Sequence, residues 1–258
     1  ACRGAPAGRS VTGKRLPAKV AVLPSAELAA EAAAGRFVAS AADAIRSRGT
    51  FIVALSGGHT PQRLYELLAT PHIAAQVDWS RVQVCWGDER CVPPDTAESN
   101  YRMAREALLS HVPLPAGNVH RMRGEDDPDQ EARRYDEMMQ RLLGGAASRL
   151  DLVLLGLGTD GHTASLFPGA DAVHDSAQWA VPAFSEAHAQ WRITLTPRLI
   201  NAAAEVVFLV SGADKADMVA RVLQGPRTPH DIPAQLIAPI AGEAAWILDG
   251  GAASALAA

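Results

Sequence analysis

Short apolar runs recur along the chain at Val20–Leu23, Phe51–Leu55, Val82–Trp86, Leu152–Leu155, Trp191–Leu195, Val206–Val210 and Ala245–Leu248. They show little of the apolar/polar alternation of a half-exposed strand, so they predict strands covered on both faces. Between most of them, apolar positions fall at helical spacing, over Ala26–Arg48, Pro61–Leu68, Asn100–His111, Asp129–Leu143, Pro197–Ala203 and Asp214–Leu223. Alternating strands and helices predict an α/β fold with a doubly wound, mostly parallel sheet and helices on both faces. No internal repeat is present. The Pro/Gly-rich stretches Pro113–Gly117 and Gly225–Pro233 read as loops, and neither adjoins a change of composition that would mark a boundary. Residues 19–258 therefore read as a single α/β catalytic domain. Residues 1–18, where Arg3, Arg9, Lys14 and Arg15 stand among Gly, Ala and Pro, read as a flexible leader.

Composition adds exclusions. A chain of 258 residues with a net charge of −4 has no electrostatic case for nucleic acid or an anionic membrane as partner. No apolar run reaches bilayer length and the N-terminal stretch lacks a secretory core, so a cytoplasmic location is expected. Cys2, Cys85 and Cys91 form no Cys-x-x-Cys and leave one unpaired, against both a disulfide scaffold and a zinc knuckle. The basic residues are 21 arginines and only three lysines, and Lys215 is the one lysine beyond Lys19. A lysine kept in a chain that otherwise uses arginine points to a specific task.

Chemistry gathers where the runs end. Leu152–Leu155 leads into Gly156-Leu-Gly-Thr-Asp160-Gly-His162, and ligands of parallel sheets bind beyond the carboxyl ends of strands. The Gly-x-Gly-x-x-Gly spacing imitates a dinucleotide fingerprint, but Pro168-Gly169 would stop the helix that fingerprint requires, and Asp160 would crowd a pyrophosphate. After the Phe51 run, Ser56-Gly57-Gly58-His59-Thr60-Pro61 combines free backbone, a hydroxyl and a helix start. The amides of Gly57, Gly58 and Thr60 and the Thr60 hydroxyl make an anion nest. The same residues allow a nucleophile elbow at Ser56 with His230 as base, a rival serine-hydrolase reading. Trp86-Gly-Asp88-Glu89-Arg90 aims two acids and a cation at the same crevice, and Ser99 or Asn100 is placed to cap the following helix. Arg192 and Lys215 each set a cation beside a strand end, one as a fork and one as a point charge, which suits phosphate.

Together, Ser56–Pro61, Trp86–Arg90, Gly156–Gly169, Arg192–Pro197 and Gly212–Ala216 resemble, in order, the motifs of the 6-phosphogluconolactonase family, over about residues 19 to 250. The resemblance implies a glucosamine-6-phosphate deaminase-like fold and hydrolysis of 6-phospho-D-glucono-1,5-lactone in the oxidative pentose phosphate pathway, with no metal and no cofactor. The substrate is then a small sugar-phosphate lactone, with the oligomeric state open between monomer and small homo-oligomer. On this reading His162 is the general base, Asp160 or Asp88 orients it, and Arg90 meets the oxyanion or the sugar hydroxyls. Gly57, Gly58, Thr60, Arg192 and Lys215 hold the phosphate. Deaminases of the same superfamily have Tyr where Arg90 stands and read Asp-Gly-His-Ile-Ala-Phe-Asn-Glu over residues 160–167, so the in-class alternative lacks its final Glu here. A sugar-phosphate sensor is the remaining alternative, without a helix-turn-helix segment or basic face to read DNA.

Overall fold

The computed structural model describes residues 19–144, 149–170 and 177–257. The leader expected over residues 1–18 lies outside them. In chain order the elements are β1 (Lys19–Leu23), α1 (Ala26–Arg48), β2 (Phe51–Leu55), α2 (His59–Leu68), α3 (Pro71–Ala74), β3 (Val82–Trp86), β4 (Asp88–Arg90), α4 (Asn100–Ala104), α5 (Pro128–Leu142), β5 (Leu152–Leu155), β6 (Ala180–Ser185), β7 (Gln190–Leu195), α6 (Pro197–Ile200), β8 (Glu205–Val210), α7 (Ala216–Leu223) and β9 (Glu243–Asp249).

Six strands form a parallel sheet in the order β1-β9-β8-β5-β2-β3. The connections β1→β2 and β2→β3 step one way across it, while β5→β8 and β8→β9 step the other. Because crossovers between parallel strands are right-handed, the reversal puts α1 and α2 on one face and α7 on the other. The reversal also fixes where a ligand enters. The chains leaving β2 and β5 diverge, and these two strands pair only at Val53↔Leu152 and Ala54↔Val153, whereas β5 stays paired with β8 from Leu152 to Leu155. Past Ala54 and Val153 the sheet opens, which is the crevice of a topological switch point.

One expected strand lies elsewhere. The run Trp191–Leu195 falls in β7, the centre of a separate antiparallel sheet in the order β4-β7-β6. The turn Glu186–His188 and Ala189 (φ 45°) join β6 to β7 directly, and so short a connection permits only antiparallel pairing. β4 has no apolar run of its own, and the apolar run of β6 is interrupted by Pro182, which lies in an edge strand where a missing N–H is tolerated. The helical reading also contracts at three places. The stretch from Asn100 passes into a π-helical turn at Arg105–Leu109, that from Pro197 ends at Ile200, and that from Asp214 opens as a 3-10 turn before α7.

The 23-residue α1 is capped by the Ser25 hydroxyl and ends at Gly49 in a left-handed conformation (φ 76°). Its buried stripe, Ala29, Ala33, Phe37, Ala41 and Ala44, is mostly alanine, so the helix backbone can approach the sheet closely. Burial of that stripe and of Trp79, Trp86 and Trp246 anchors the core, with Phe208 and Trp246 stacked at 4.0 Å. Charge pairs of Arg36 with Glu205 and Glu243, and of Arg48 with Asp151, gather at the amino ends of the strands, opposite the crevice. No helix among the described residues is long and apolar enough to cross a membrane.

Candidate active site

Two buried tyrosines fix the strand ends at the crevice. The Tyr65 hydroxyl, on α2, accepts from Ser56 N (3.0 Å) and donates to Ser56 O (2.9 Å), and the Tyr135 hydroxyl, on α5, accepts from Trp86 N (2.9 Å). A backbone amide orphaned in the interior costs about 1–3 kcal/mol, so each hydroxyl stabilises the chain where its strand ends. Gly58 (φ 106°) adopts a backbone conformation that other residues rarely take, and α2 starts behind it with no side-chain cap, its first amides unclaimed by any side chain. A Cβ on Gly57 would fall 1.8 Å from Asn100 Oδ1, so only glycine fits.

β4 sorts the acidic cluster by strand alternation. Glu89 points away from the crevice, buried, and accepts from Arg90 N (2.8 Å), Asn100 N (2.7 Å), Tyr101 N (2.8 Å) and Ser99 Oγ (3.1 Å). Burial raises its carboxyl above the ordinary value, with the three amides working against that shift. Its place is the amino end of α4, where Ser99 is the cap, receiving Arg102 N at 3.1 Å. Asn100 is not the cap. Its amide turns to Asp88, donating to the Asp88 carbonyl at 2.9 Å.

Asp88 and Arg90 face the crevice. Asp88 Oδ2 receives the hydroxyl of fully buried Ser165 at 2.6 Å, and Asp88 makes no hydrogen bond to His162 among the described residues. The expectation that Asp88 could orient the histidine is therefore corrected, because Ser165 holds its carboxylate. No Asp88–Arg90 ion pair closes the loop either. Arg90 lies directly across from Arg192 in the β4·β7 register, and the Nε of both is buried without a hydrogen-bond partner among the described residues. Burial first, and then the charge of Arg90, lower the pKa of Arg192, opposed by Asp88 and Glu89. Two guanidiniums side by side with unused donors have the chemistry that suits an anion.

After β5 the chain makes no helix through residue 170, as the rejection of the dinucleotide fingerprint requires. It turns on Gly161 (φ 90°), tied by Gly158 N→His162 O (2.8 Å) and Thr163 Oγ1→Gly156 O (2.8 Å). Asp160 Oδ1 takes both the backbone N (3.1 Å) and the ring Nδ1 (2.6 Å) of His162. Burial alone would raise the Asp160 carboxyl, but the hydrogen bond and charge of His162 prevail and hold it at about 2. Ile232 and Met218 pack against Gly161, and Ala234 N donates to its carbonyl (3.0 Å).

These loops enclose a cavity of about 230 Å³ lined by Gly57, Gly58, Asp88, Arg90, His162, Arg192 and Lys215. Asp160 stands behind His162 rather than on that wall. Thr60 lines an adjoining cavity, shared with Gly57, Gly58 and Lys215, and its hydroxyl is engaged with Ser211 Oγ at 2.8 Å. The sequence reading missed Ser165, whose residue type carries no signal, and gave Asn100 to capping although it lines the cavity. Ser56 Oγ is buried without a partner, and His230 pairs with Asp231 in the loop that meets Gly169. Among the described residues no hydrogen bond joins Ser56 Oγ to a base.

Residues 24–246 match the family model described as glucosamine-6-phosphate isomerases/6-phosphogluconolactonase. The 6-phosphogluconolactonase of Haemophilus influenzae is 38% identical over 200 residues, which span 78% of this chain and 85% of that one. Among solved structures, a 6-phosphogluconolactonase from Trypanosoma cruzi is 30% identical with a TM-score of 0.84, covering 95% of this chain and 100% of its own. A monomeric glucosamine-6-phosphate deaminase shares the fold, at 22% identity and a TM-score of 0.78 over 92% of this chain and 99% of its own.

Proposed function

Because the chain belongs to the family of glucosamine-6-phosphate isomerases and 6-phosphogluconolactonases, we propose that it hydrolyses 6-phospho-D-glucono-1,5-lactone to 6-phosphogluconate, with His162 as general base. The observation that carries this reading is the meeting of His162, backed by Asp160, with Arg90, Arg192 and Lys215 around one small cavity. A carboxyl held at about 2 is ionised at neutral pH and can only accept, so the His162 proton sits on Nδ1 and Nε2 is left as the base. Water attacks C1 as Nε2 takes one of its protons. The tetrahedral oxyanion forms against the Arg90 donors, and as the C1–O5 bond breaks the imidazolium returns its proton to the departing ring oxygen. Arg192, Lys215 and the Gly57–Gly58 amides hold the 6-phosphate. That binding is remote from the reacting carbon and serves to position it. Thr60, on the wall of the adjoining cavity with its hydroxyl hydrogen-bonded to Ser211 Oγ, joins the phosphate set through its amide. A cytoplasmic location accompanies the reading.

Phe167 favours lactone hydrolysis over the deaminase alternative. Its ring packs 5.2 Å from that of His162, at the position where the deaminase pattern places its final Glu, so an apolar contact replaces the expected acid/base partner. A coupled assay that follows disappearance of the lactone, corrected for spontaneous opening, tests the assignment. Acceleration of the ring opening is expected, and release of ammonia from glucosamine 6-phosphate without it would reverse the choice.

Two further results are expected from this mechanism. With water as the nucleophile, Ser56→Ala keeps most of its activity and a serine-directed fluorophosphonate leaves the protein unlabelled; stoichiometric labelling with loss of turnover would restore the elbow reading. With a histidine base and no step that calls on a metal, activity survives prolonged chelation, which a before-and-after assay checks. Loss on chelation with rescue by a divalent ion would overturn it.

A further inference from the structure

Resting on the lactonase reading, we infer that Asn100 is a substrate-binding residue whose amide oxygen accepts a hydrogen bond from a ring hydroxyl of the lactone. The cavity is rich in donors. Arg90, Arg192 and Lys215, together with the backbone amides behind Gly57 and Gly58, suit a phosphate and a developing oxyanion but cannot receive the hydroxyl protons of a sugar. Side-chain acceptors are fewer: the Asp88 carboxylate, one oxygen of which is engaged by Ser165 at 2.6 Å, and Asn100.

Asn100 fills this gap by construction. Its backbone N is fixed by Glu89 (2.7 Å), and its Nδ2 donates to the Asp88 carbonyl (2.9 Å). That bond also fixes which end of the amide is oxygen, because a carbonyl partner requires the NH2 group. Nδ2 further lies 3.5 Å from Asp88 Oδ1, so an aspartate at position 100 would set two carboxylates against each other. Oδ1 accepts no hydrogen bond from any described residue, and Asn100 lines the cavity although it is only 2% exposed. Gly57 completes the arrangement. Its absent side chain is what leaves room for this oxygen beside the phosphate loop. A polar atom oriented by two neighbours, free of a partner and bordering a cavity of donors has the form of a specificity contact. A site built to bond a hydroxyl rejects the analogue that lacks it, because the acceptor is then stranded without its donor.

The test is an enzyme–substrate cycle on the full chain. Background-corrected kcat/KM is measured for the 6-phosphorylated lactone and its 2-, 3- and 4-deoxy analogues, with wild type, Asn100→Ala and Asn100→Ser. Wild type is expected to disfavour one deoxy lactone by about 10-fold or more, and the two variants to narrow that ratio to within about 3-fold, with competitive inhibition by inorganic phosphate unchanged. The α4 cap rests on Glu89 and Ser99, so neither variant removes it. Equal treatment of all the analogues by wild type overturns the inference. So does a uniform loss across the four substrates in both variants, which would make Asn100 a holder of the attacking water or of Asp88. Failure of wild type to open even the parent lactone would instead remove the lactonase reading itself, a result distinguishable from either.

Discussion

Replacing His162 by Asn is expected to lower kcat by roughly 10²-fold or more while KM stays near wild type, the scale of losing a general base. The asymmetry follows from geometry. On the proposed mechanism His162 works on water and on the leaving ring oxygen, while the residues proposed for the anionic end of the substrate lie on other elements, β7 and the turn before α7. An amide keeps much of the ring's volume beside Phe167 and still offers an N–H to Asp160, so the loop has little reason to move. Stopped-flow or pH-stat rates, corrected for spontaneous hydrolysis, read the result. Wild-type turnover by a folded variant would sink the assignment and return attention to Ser56. A large rise in KM at unchanged kcat would instead place His162 among the binding groups.

Lys215→Ala is expected to act in the opposite sense, raising KM about 10- to 150-fold at near-constant kcat, equivalent to about 1.5–3 kcal/mol of charge-assisted bonding lost equally from ground and transition states. Lys215 lines both the cavity with His162 and its neighbour over the Gly57–Gly58 loop. Its one carboxylate neighbour among the described residues, Asp214 at 3.5 Å, is largely exposed and competes weakly in solvent. Gluconolactone without the phosphate is the control. Wild type should handle it poorly and the variant about equally poorly, since neither can use a group the substrate lacks. If both substrates weakened to the same degree, Lys215 would be acting on the sugar or the fold, and phosphate binding would rest on Arg192 and the glycine loop.

Both side chains were legible in the sequence, for one reason: each stands just after an apolar run, and the ends of buried parallel strands are where side chains meet ligands. The same logic located Gly57, Gly58 and Arg90. It failed for Arg192 in detail, since the run Trp191–Leu195 looks like another parallel strand and is instead the centre of an antiparallel sheet. What distinguishes it is the short Glu186–Ala189 turn, a local feature that apolar run length does not encode. The roles of Ser165 and Asn100 could not be read at all from spacing. Each is defined by Asp88 on β4, 77 and 12 residues away, and capping chemistry gave Asn100 an equally good local explanation. Glu89 shows the converse: beside two cavity residues in sequence, it faces the other way because strands alternate.

The Arg90–Arg192 pairing across β4 and β7 has a thermodynamic side. Two cations held in register repel each other in the folded protein and lie far apart in the unfolded chain, so their repulsion, opposed by Asp88 and Glu89, subtracts from stability. An anion between them reverses the sign of that contribution, and by linkage whatever binds the folded state alone raises the unfolding temperature with its concentration. Under the proposed phosphate binding, the unfolding temperature is therefore expected to rise with the concentration of sugar phosphate or inorganic phosphate.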